Sequence, residues 1–459
     1  MGSKMSPILI VAVNARYSHA SYAARTLQAN LGALAHDAAI LETDLDVTPI
    51  QLAEQIALYR PRVVGFTVYL WNVRLVEAAA RILRAVLPGM RLIAGGPELT
   101  PGYANAALFD AIILGEGETA FREICVQCLD GTRPTAIITA PPEPPDALTL
   151  PFDYYTDTDL AQRTLYVEAS RGCPYSCAYC TSAETRLRLI PLGTLLPALD
   201  RLWQRGARQL KFLDRSFNAP VAHACAVLDF FLPKATPDTR LHFEINADHL
   251  HPDILRRIAA FPKEALHLEV GVQTLNPSVA AAIGRSPDTA QTLENVRRLT
   301  RDTGATVHAD LIFGLPGEDE DSFARGFDAL ITEANPPEVQ VNLLKGLPGT
   351  RIVREASARG LAFSPEPPYE VLRTDVMDFG TLCRIQRFAR CWELVRNRNR
   401  FPEEVARFHA ATAPDHYRAY CALAGRIFSG EGKLFAISQA RLAQHLHEHL
   451  GETNKRPAT

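Results

Sequence analysis

A strand-then-helix rhythm runs through most of this chain and restricts it to folds built on parallel sheets. Between Pro7 and Thr139 the apolar runs ILIVAV, RVVGFTVYL, RLIAGG and AIILGEGE each end in small or polar residues, with amphipathic stretches such as VRLVEAAARILRAVL between them. Period-2 and short apolar runs alternating with 3.6-period segments predict a parallel sheet covered by helices on both faces. A second series follows in TLYVEAS, RQLKFLD, RLHFEIN, ALHLEVGVQ, TVHADLIFG and EVQVNLL, six candidate βα units. The proline-rich APPEPPDALTLP, Ala140 to Pro151, separates the two series and reads as an extended connector. From about Pro365 the pattern turns helical. With 459 residues and ~150 per domain, two to three domains are expected. The expected divisions are an α/β domain over 7–139, a linker over 140–159, a partial barrel over 160–350 and a helical domain over 365–450.

Composition narrows the setting. A formal net charge of -3 without a large basic field argues against nonspecific binding to nucleic acid or membrane surfaces. The start, MGSKMSPILIVAVNA, reads as a first strand and not as a signal peptide. No apolar run approaches the ~20 residues that span a bilayer. Scattered cysteines such as Cys225 and Cys421 fit a reducing cytoplasm better than a disulfide framework. The final GETNKRPAT reads as a frayed tail.

Three of the nine cysteines crowd into SRGCPYSCAYC, spaced Cys173-x3-Cys177-x2-Cys180. A thiolate-held [4Fe–4S] cube wants four such ligands, so three leave one iron open to a small chelator. A zinc knuckle and three unrelated buried thiols are the alternatives. Zinc sites want four ligands in paired spacing, and no fourth Cys or suitable His lies nearby in sequence.

This segment resembles the cluster loop of the radical S-adenosylmethionine (SAM) enzymes. The resemblance implies that Cys173, Cys177 and Cys180 hold a [4Fe–4S] cluster and that SAM chelates the open iron. An electron then cleaves the sulfonium to a 5′-deoxyadenosyl radical. Tyr179 matches the aromatic placed near adenine. Polar residues at the strand ends, Asp214, Glu244, Gln273 and Asp310, and Arg285 after the following helix, resemble the SAM-binding series of the group that includes oxygen-independent coproporphyrinogen oxidase-like proteins. By that resemblance Arg285 pairs with the methionyl carboxylate, a task suited to its planar fork. Glu244, Gln273 and Asp310 then serve the ribose hydroxyls and polar groups, and Asp214 lies near the ammonium. Taken singly, each also reads as a cap, a turn residue or a buried polar group. In barrels of this kind the chemistry sits at the carboxyl ends of the strands.

The N-terminal loops also follow strand ends, where parallel α/β sheets bind ligands. They comprise Asn14 to His19, Tyr69-Leu70-Trp71-Asn72, Gly95-Gly96-Pro97-Glu98 and Gly115-Glu116-Gly117-Glu118. Glycine there lets backbone approach a large ligand closely. The GGPE and GEGE pair resembles the Rossmann-like cobalamin-binding domain found upstream of many radical SAM domains. His19 lacks the Asp-x-His-x-x-Gly context of a cobalt-ligating histidine, so the expectation is cobalamin without a histidine on cobalt and with Tyr69 to Asn72 near its lower face. A Rossmann-like domain using these glycines only as turns is the alternative.

The helical tail resembles the domain of unknown function that ends one subgroup of these proteins. Arg387, Arg390, Arg396, Arg398 and Arg400 make a basic stretch there, by default a solvated face, otherwise an anionic site. Cys383 and Cys391 read as buried thiols before metal ligands. Together these features imply an oxygen-sensitive, cobalamin-dependent radical SAM enzyme with a reducing partner such as flavodoxin or ferredoxin. Methylation of an unactivated carbon is the leading expectation. Rearrangement, cyclisation or transfer of another SAM fragment, and a non-catalytic cobalamin or iron–sulfur sensor, are the rivals.

Overall fold

Strand β1 (Ile8–Asn14) forms because six successive apolar residues, Ile8 to Val13, can all be buried, as the middle strand of a doubly covered sheet requires. In the computed structural model, which describes residues 5–453, it lies between β2 (Ala38–Asp44) and β3 (Val63–Thr67). The sheet continues through β4 (Arg91–Gly95), β5 (Ala111–Leu114) and β6 (Ile137–Thr139), in the order β2-β1-β3-β4-β5-β6, every pair parallel. Two apolar clusters, one on each face, hold it between helices. The helix Val73–Val86 contributes Val73, Val76, Ala79, Ala80 and Leu83 to one of them, the one-sided spacing an amphipathic helix provides.

The chain divides into two compact units. The first holds this sheet, residues through Arg171, and the return segment Leu187–Asp214. It therefore also contains β7 (Leu165–Val167), the short antiparallel pair β8 (Ser170–Arg171) and β9 (Arg188–Leu189), and β10 (Gln209–Phe212), which lies parallel to β7. Residues 140–150 carry no regular element.

The second unit takes Gly172–Arg186 and the chain from Arg215 onward. Its sheet runs β11 (Arg240–Asn246), β12 (Leu266–Gln273), β13 (Thr306–Phe313) and β14 (Glu338–Leu343), parallel and side by side in chain order. Strict alternation governs it: β12 buries Leu266, Leu268, Val270 and Val272, and β13 buries Val307, Ala309, Leu311 and Phe313. The period of two turns His267, Glu269, Gly271 and Gln273, with His308 and Asp310, to the other face.

The helical tail belongs to this unit. Phe388 and Trp392 on the helix Phe379–Trp392 pack edge-on against Phe327, at ring-centroid distances of 4.9 and 4.8 Å. Asn397 clamps β14 by accepting from Val339 N (3.2 Å) and donating to Val339 O (2.9 Å). The last residues of the tail, 454–459, lie outside the described ones. Among the described residues no helix is long and apolar enough to cross a membrane.

Candidate functional site

The cysteine loop is tied down by its backbone. Cys173 N donates to Thr185 O, Cys180 N to Cys177 O, and Ala178 N to Ile283 O, while Ile352 N donates back to Ala178 O. Gly172, at φ +81, faces the Arg186 carbonyl where a Cβ would lie at 2.3 Å, so the loop closes tightly on its own stem. Cys173 Sγ lies 3.7 Å from Ser216 Oγ, Ser182 N points at Cys180 Sγ (3.4 Å), and the Tyr179 hydroxyl bonds the Cys177 thiol. Burial pushes the Cys177 thiol up, so iron must displace its proton.

Among the described residues one trio can surround a single metal ion, and it does not include these cysteines. The three sulfurs are therefore spread more widely than one ion allows, which disfavours the zinc reading. Three free thiols on one loop, each able to meet a different iron, fit a polynuclear cluster.

Beside the loop, a cavity of about 290 Å³ collects Tyr179, Gln273 and Asp310 with Glu269, Asn342 and Lys345. Gln273 sits at φ +70 where the β12–β13 register shifts, a strained conformation that side chains rarely adopt away from functional sites. Asp310 accepts from Asn342 Nδ2 (3.2 Å), and its carboxyl is pushed up by burial against the pull of His308. Glu244 projects from β11 on the same alternation as Glu269 opposite it, but lies outside the residues lining the cavity.

Two of the expected ligand residues have partners within the chain. Asp214, 2% exposed, accepts from Ala169 N (2.9 Å) and Ser170 Oγ (2.5 Å), and thereby braces the strand that enters the cysteine loop. Burial outweighs those two bonds and raises its carboxyl to about 7. Arg285 gives Nε and Nη2 to the two Asp248 oxygens (2.8 Å each), and Nη2 also to Gly271 O (2.8 Å). The fork expected for the methionyl carboxylate thus grips a carboxylate of the chain itself.

The first unit shows the same contrast. At the carboxyl end of β3, Tyr69 and Trp71 stack face to face at 4.5 Å and 5°, and Trp71, 46% exposed, is held by Nε1–H donated to Val13 O (3.0 Å). A flat aromatic pair with its Trp71 ring exposed suits the face of a large ring cofactor. Asn72 is buried, accepting from Tyr69 N and donating to Val13 O and Thr67 O, and so shapes the loop. His19 bonds Tyr166 through Nδ1 (2.7 Å).

The glycines approach the chain's own backbone. A Cβ on Gly96 (φ +135) would lie 2.2 Å from Val68 O, and one on Gly115 (φ +94) 2.6 Å from Ala140 O. Gly95 has room, Pro97 is exposed, Glu98 is buried, and Gly117 caps the helix Glu118–Leu129. Glu116 and Glu118 both pair with Arg171 (3.0 and 2.6 Å), and Glu116 also with Arg188. Arg171 binds Glu168 as well (2.9 Å). The GEGE acids are therefore ion-pair partners of the residues flanking the cysteine loop in sequence. Gly96→Ala is expected to lower the stability of this unit by about 3 kcal/mol or more, since backbone clashes at positive φ. Gly89→Ala, where a Cβ meets nothing within 4 Å, serves as the neutral control in thermal denaturation.

In the tail, four of the five arginines meet a partner, and Arg400 is exposed. Arg390 donates to Leu434 O, Arg396 to Pro337 O, Arg398 to Glu393, and Arg387 lies over the Phe428 ring (4.1 Å). Cys391 is fully buried, and among the described residues neither it nor Cys383 joins a metal-ligand group. What the strand-end reading missed is the polar mid-strand row: His242, His267, Glu269, His308 and Glu338. Its signal was the alternation in LHFE, LHLE and VHAD.

With this geometry, residues 167–330 match the radical SAM superfamily. Those residues, about a third of the chain, thus form a radical SAM domain. The chain also matches a B12 binding domain over 8–125 and a protein family of unknown function, DUF4080, over 358–455. It is 28% identical to a 2-(S-pantetheinyl)-carbapenam-3-carboxylate methyltransferase of Streptantibioticus cattleyicolor, over 64% of this chain and 48% of that protein. It is 26% identical to the cobalamin-dependent radical SAM methyltransferase TokK of Streptomyces tokunonensis, over 66% and 49%. The chain thus spans about half the length of these curated relatives. Its fold is similar to OxsB, a cobalamin-dependent SAM radical enzyme, with a TM-score of 0.67 and 13% identity over 98% of this chain and 79% of that one.

Proposed function

We propose that this radical SAM protein is a cobalamin-dependent methyltransferase acting on an unactivated carbon. The observation that carries the reading is the three-thiol loop beside a polar cavity, in a chain that also bears a B12-binding domain with a Tyr69–Trp71 stack. Cys173, Cys177 and Cys180 hold the [4Fe–4S] cluster. Tyr179, Gln273 and Asp310 receive SAM, with Lys345 as the cationic member of their cavity and Glu244 near it on the same sheet. Arg285 and Asp214 act as positioning residues, the first by locking Asp248 and the Gly271 carbonyl, the second by holding Ser170. Tyr69 and Trp71 support the corrinoid, and the backbone of Gly95 to Glu98 and Gly115 to Glu118 shapes the loops around it. When bound, these groups supply reductive cleavage of the SAM sulfonium and a carrier for its methyl.

Carboxylic acids carrying a thioether-linked side group, as the name of the first relative describes, are the substrate class to try first. All nine cysteines are free thiols, which supports a reducing cytoplasm and an electron donor of the flavodoxin or ferredoxin type. The test is anaerobic reconstitution with cobalamin, SAM, reductant and candidate acids, followed by mass spectrometry. Formation of S-adenosylhomocysteine with 5′-deoxyadenosine and a product heavier by one methylene is the expected result. 5′-Deoxyadenosine without S-adenosylhomocysteine indicates non-methylating radical chemistry. Neither product, with a full cluster and cobalamin bound, means a sensor and refutes the proposal.

A further inference from the structure

We propose that His267, His308 and Glu338 form a second metal site in this protein, for a divalent cation of the zinc class, distinct from the cysteine loop. The residues sit on the adjacent strands β12, β13 and β14, and one donor atom from each lies within 4.8 Å of the other two. Register brings them together: His308 stands directly opposite Glu338, and His267 lies diagonal to His308, whose partner on β12 is Glu269. His308 Nδ1 and Glu338 Oε2 are 3.1 Å apart. Two donors bound to one ion at about 2.0–2.1 Å are separated by about that much.

The surroundings are those of metal-ligating histidines, whose second ring nitrogen faces a carboxylate that sets tautomer and ring orientation. His308 Nε2 points toward Asp310 Oδ1 at 3.5 Å, is buried, and has no closer hydrogen-bond partner. Asp310 is in turn held by Asn342. The His267 ring is fixed by stacking on His242 at 4.7 Å and 17°, and His242 Nε2 is anchored to Glu269 (2.9 Å). Donors on adjacent strands, with both histidines supported, form a preorganised set.

Two imidazoles and one carboxylate are the donors that zinc and non-haem iron accept, with positions left for water or a substrate oxygen. Asp310 and Glu269, which orient the site, also line the cavity beside Tyr179, so a bound cation would lie near its floor. There it could grip a carboxylate or carbonyl of a substrate. Neither the cysteine loop nor SAM turnover enters this argument, so the site stands or falls apart from the methyltransferase reading.

The test uses the full chain with its cluster reconstituted, loaded with Zn²⁺ and dialysed anaerobically against a weak chelator. Zinc and iron are then counted by mass spectrometry and the zinc environment read by X-ray absorption. The expected result is about one zinc per chain with nitrogen and oxygen neighbours near 2.0–2.1 Å and no sulfur shell. His308→Gln and Glu338→Gln are expected to lower retained zinc at least tenfold while leaving cluster iron unchanged. Wild-type protein that retains no zinc, a sulfur shell near 2.3 Å, or undiminished zinc in both variants would overturn the site. The absorption spectrum of the wild type decides even where a variant folds poorly.

Discussion

Cys177→Ala is expected to remove the cluster outright: iron falls at least tenfold and reductive SAM cleavage is lost. Three thiolates already leave one iron of a cube without a protein ligand. A second vacancy exposes the cube to solvent and to loss of an iron. The position is also the most confined of the three, since Cys177 is buried, its thiol meets Tyr179, and its neighbour Ala178 is hydrogen-bonded on both sides, to Ile283 and Ile352. No nearby cysteine can swing in to replace it, because Cys180 and Cys173 are held by their own backbone bonds. Cys125→Ala is the matching control, since that thiol is buried in the first unit. Iron content and the visible spectrum after anaerobic reconstitution check both. If Cys177→Ala keeps its iron, the ligand assignment is wrong.

The difference between those two cysteines was legible in the sequence because it lies in spacing, a local property. The same holds for the strands, since LHLEVGVQ and TVHADLIF display their own period and all six expected strands of the second series are present. Partnership across the chain was not legible. Nothing near GEGE announces that Glu116 and Glu118 meet Arg171, and nothing near IGRS announces that Arg285 meets Asp248. Glycine is ambiguous in the same way: GGPE permits close approach, but only the fold reveals that Val68 is what Gly96 approaches. Attention to strand ends also passed over His267, His308 and Glu338, which face inward from mid-strand or strand start.

Arg285→Ala is expected to destabilise the second unit by about 3–5 kcal/mol, the cost of leaving a buried charge without its partner. Arg285 and Asp248 are 8% and 6% exposed, and the pair is bidentate. Once the guanidinium is gone, Asp248 keeps only Thr292 Oγ1 (3.1 Å) and Ser286 N (3.3 Å). Gly271 O loses its donor too, two residues before the strained Gln273. Asp248→Asn in the Arg285→Ala background removes the stranded charge, so the double variant is expected to recover stability relative to the single one. Arg285→Lys keeps the charge but forfeits the fork, and is expected to fall between wild type and alanine. Hydrogen exchange of residues 246–286 measures these losses locally, which matters in a chain of two units where one midpoint is no simple quantity. The same series separates two roles. A positioning residue loses SAM affinity in proportion to lost protection around Gln273, and the double variant regains both. A residue that itself binds the methionyl carboxylate leaves the double variant stable but still unable to bind SAM. With its fork already closed on Asp248, the first outcome is expected.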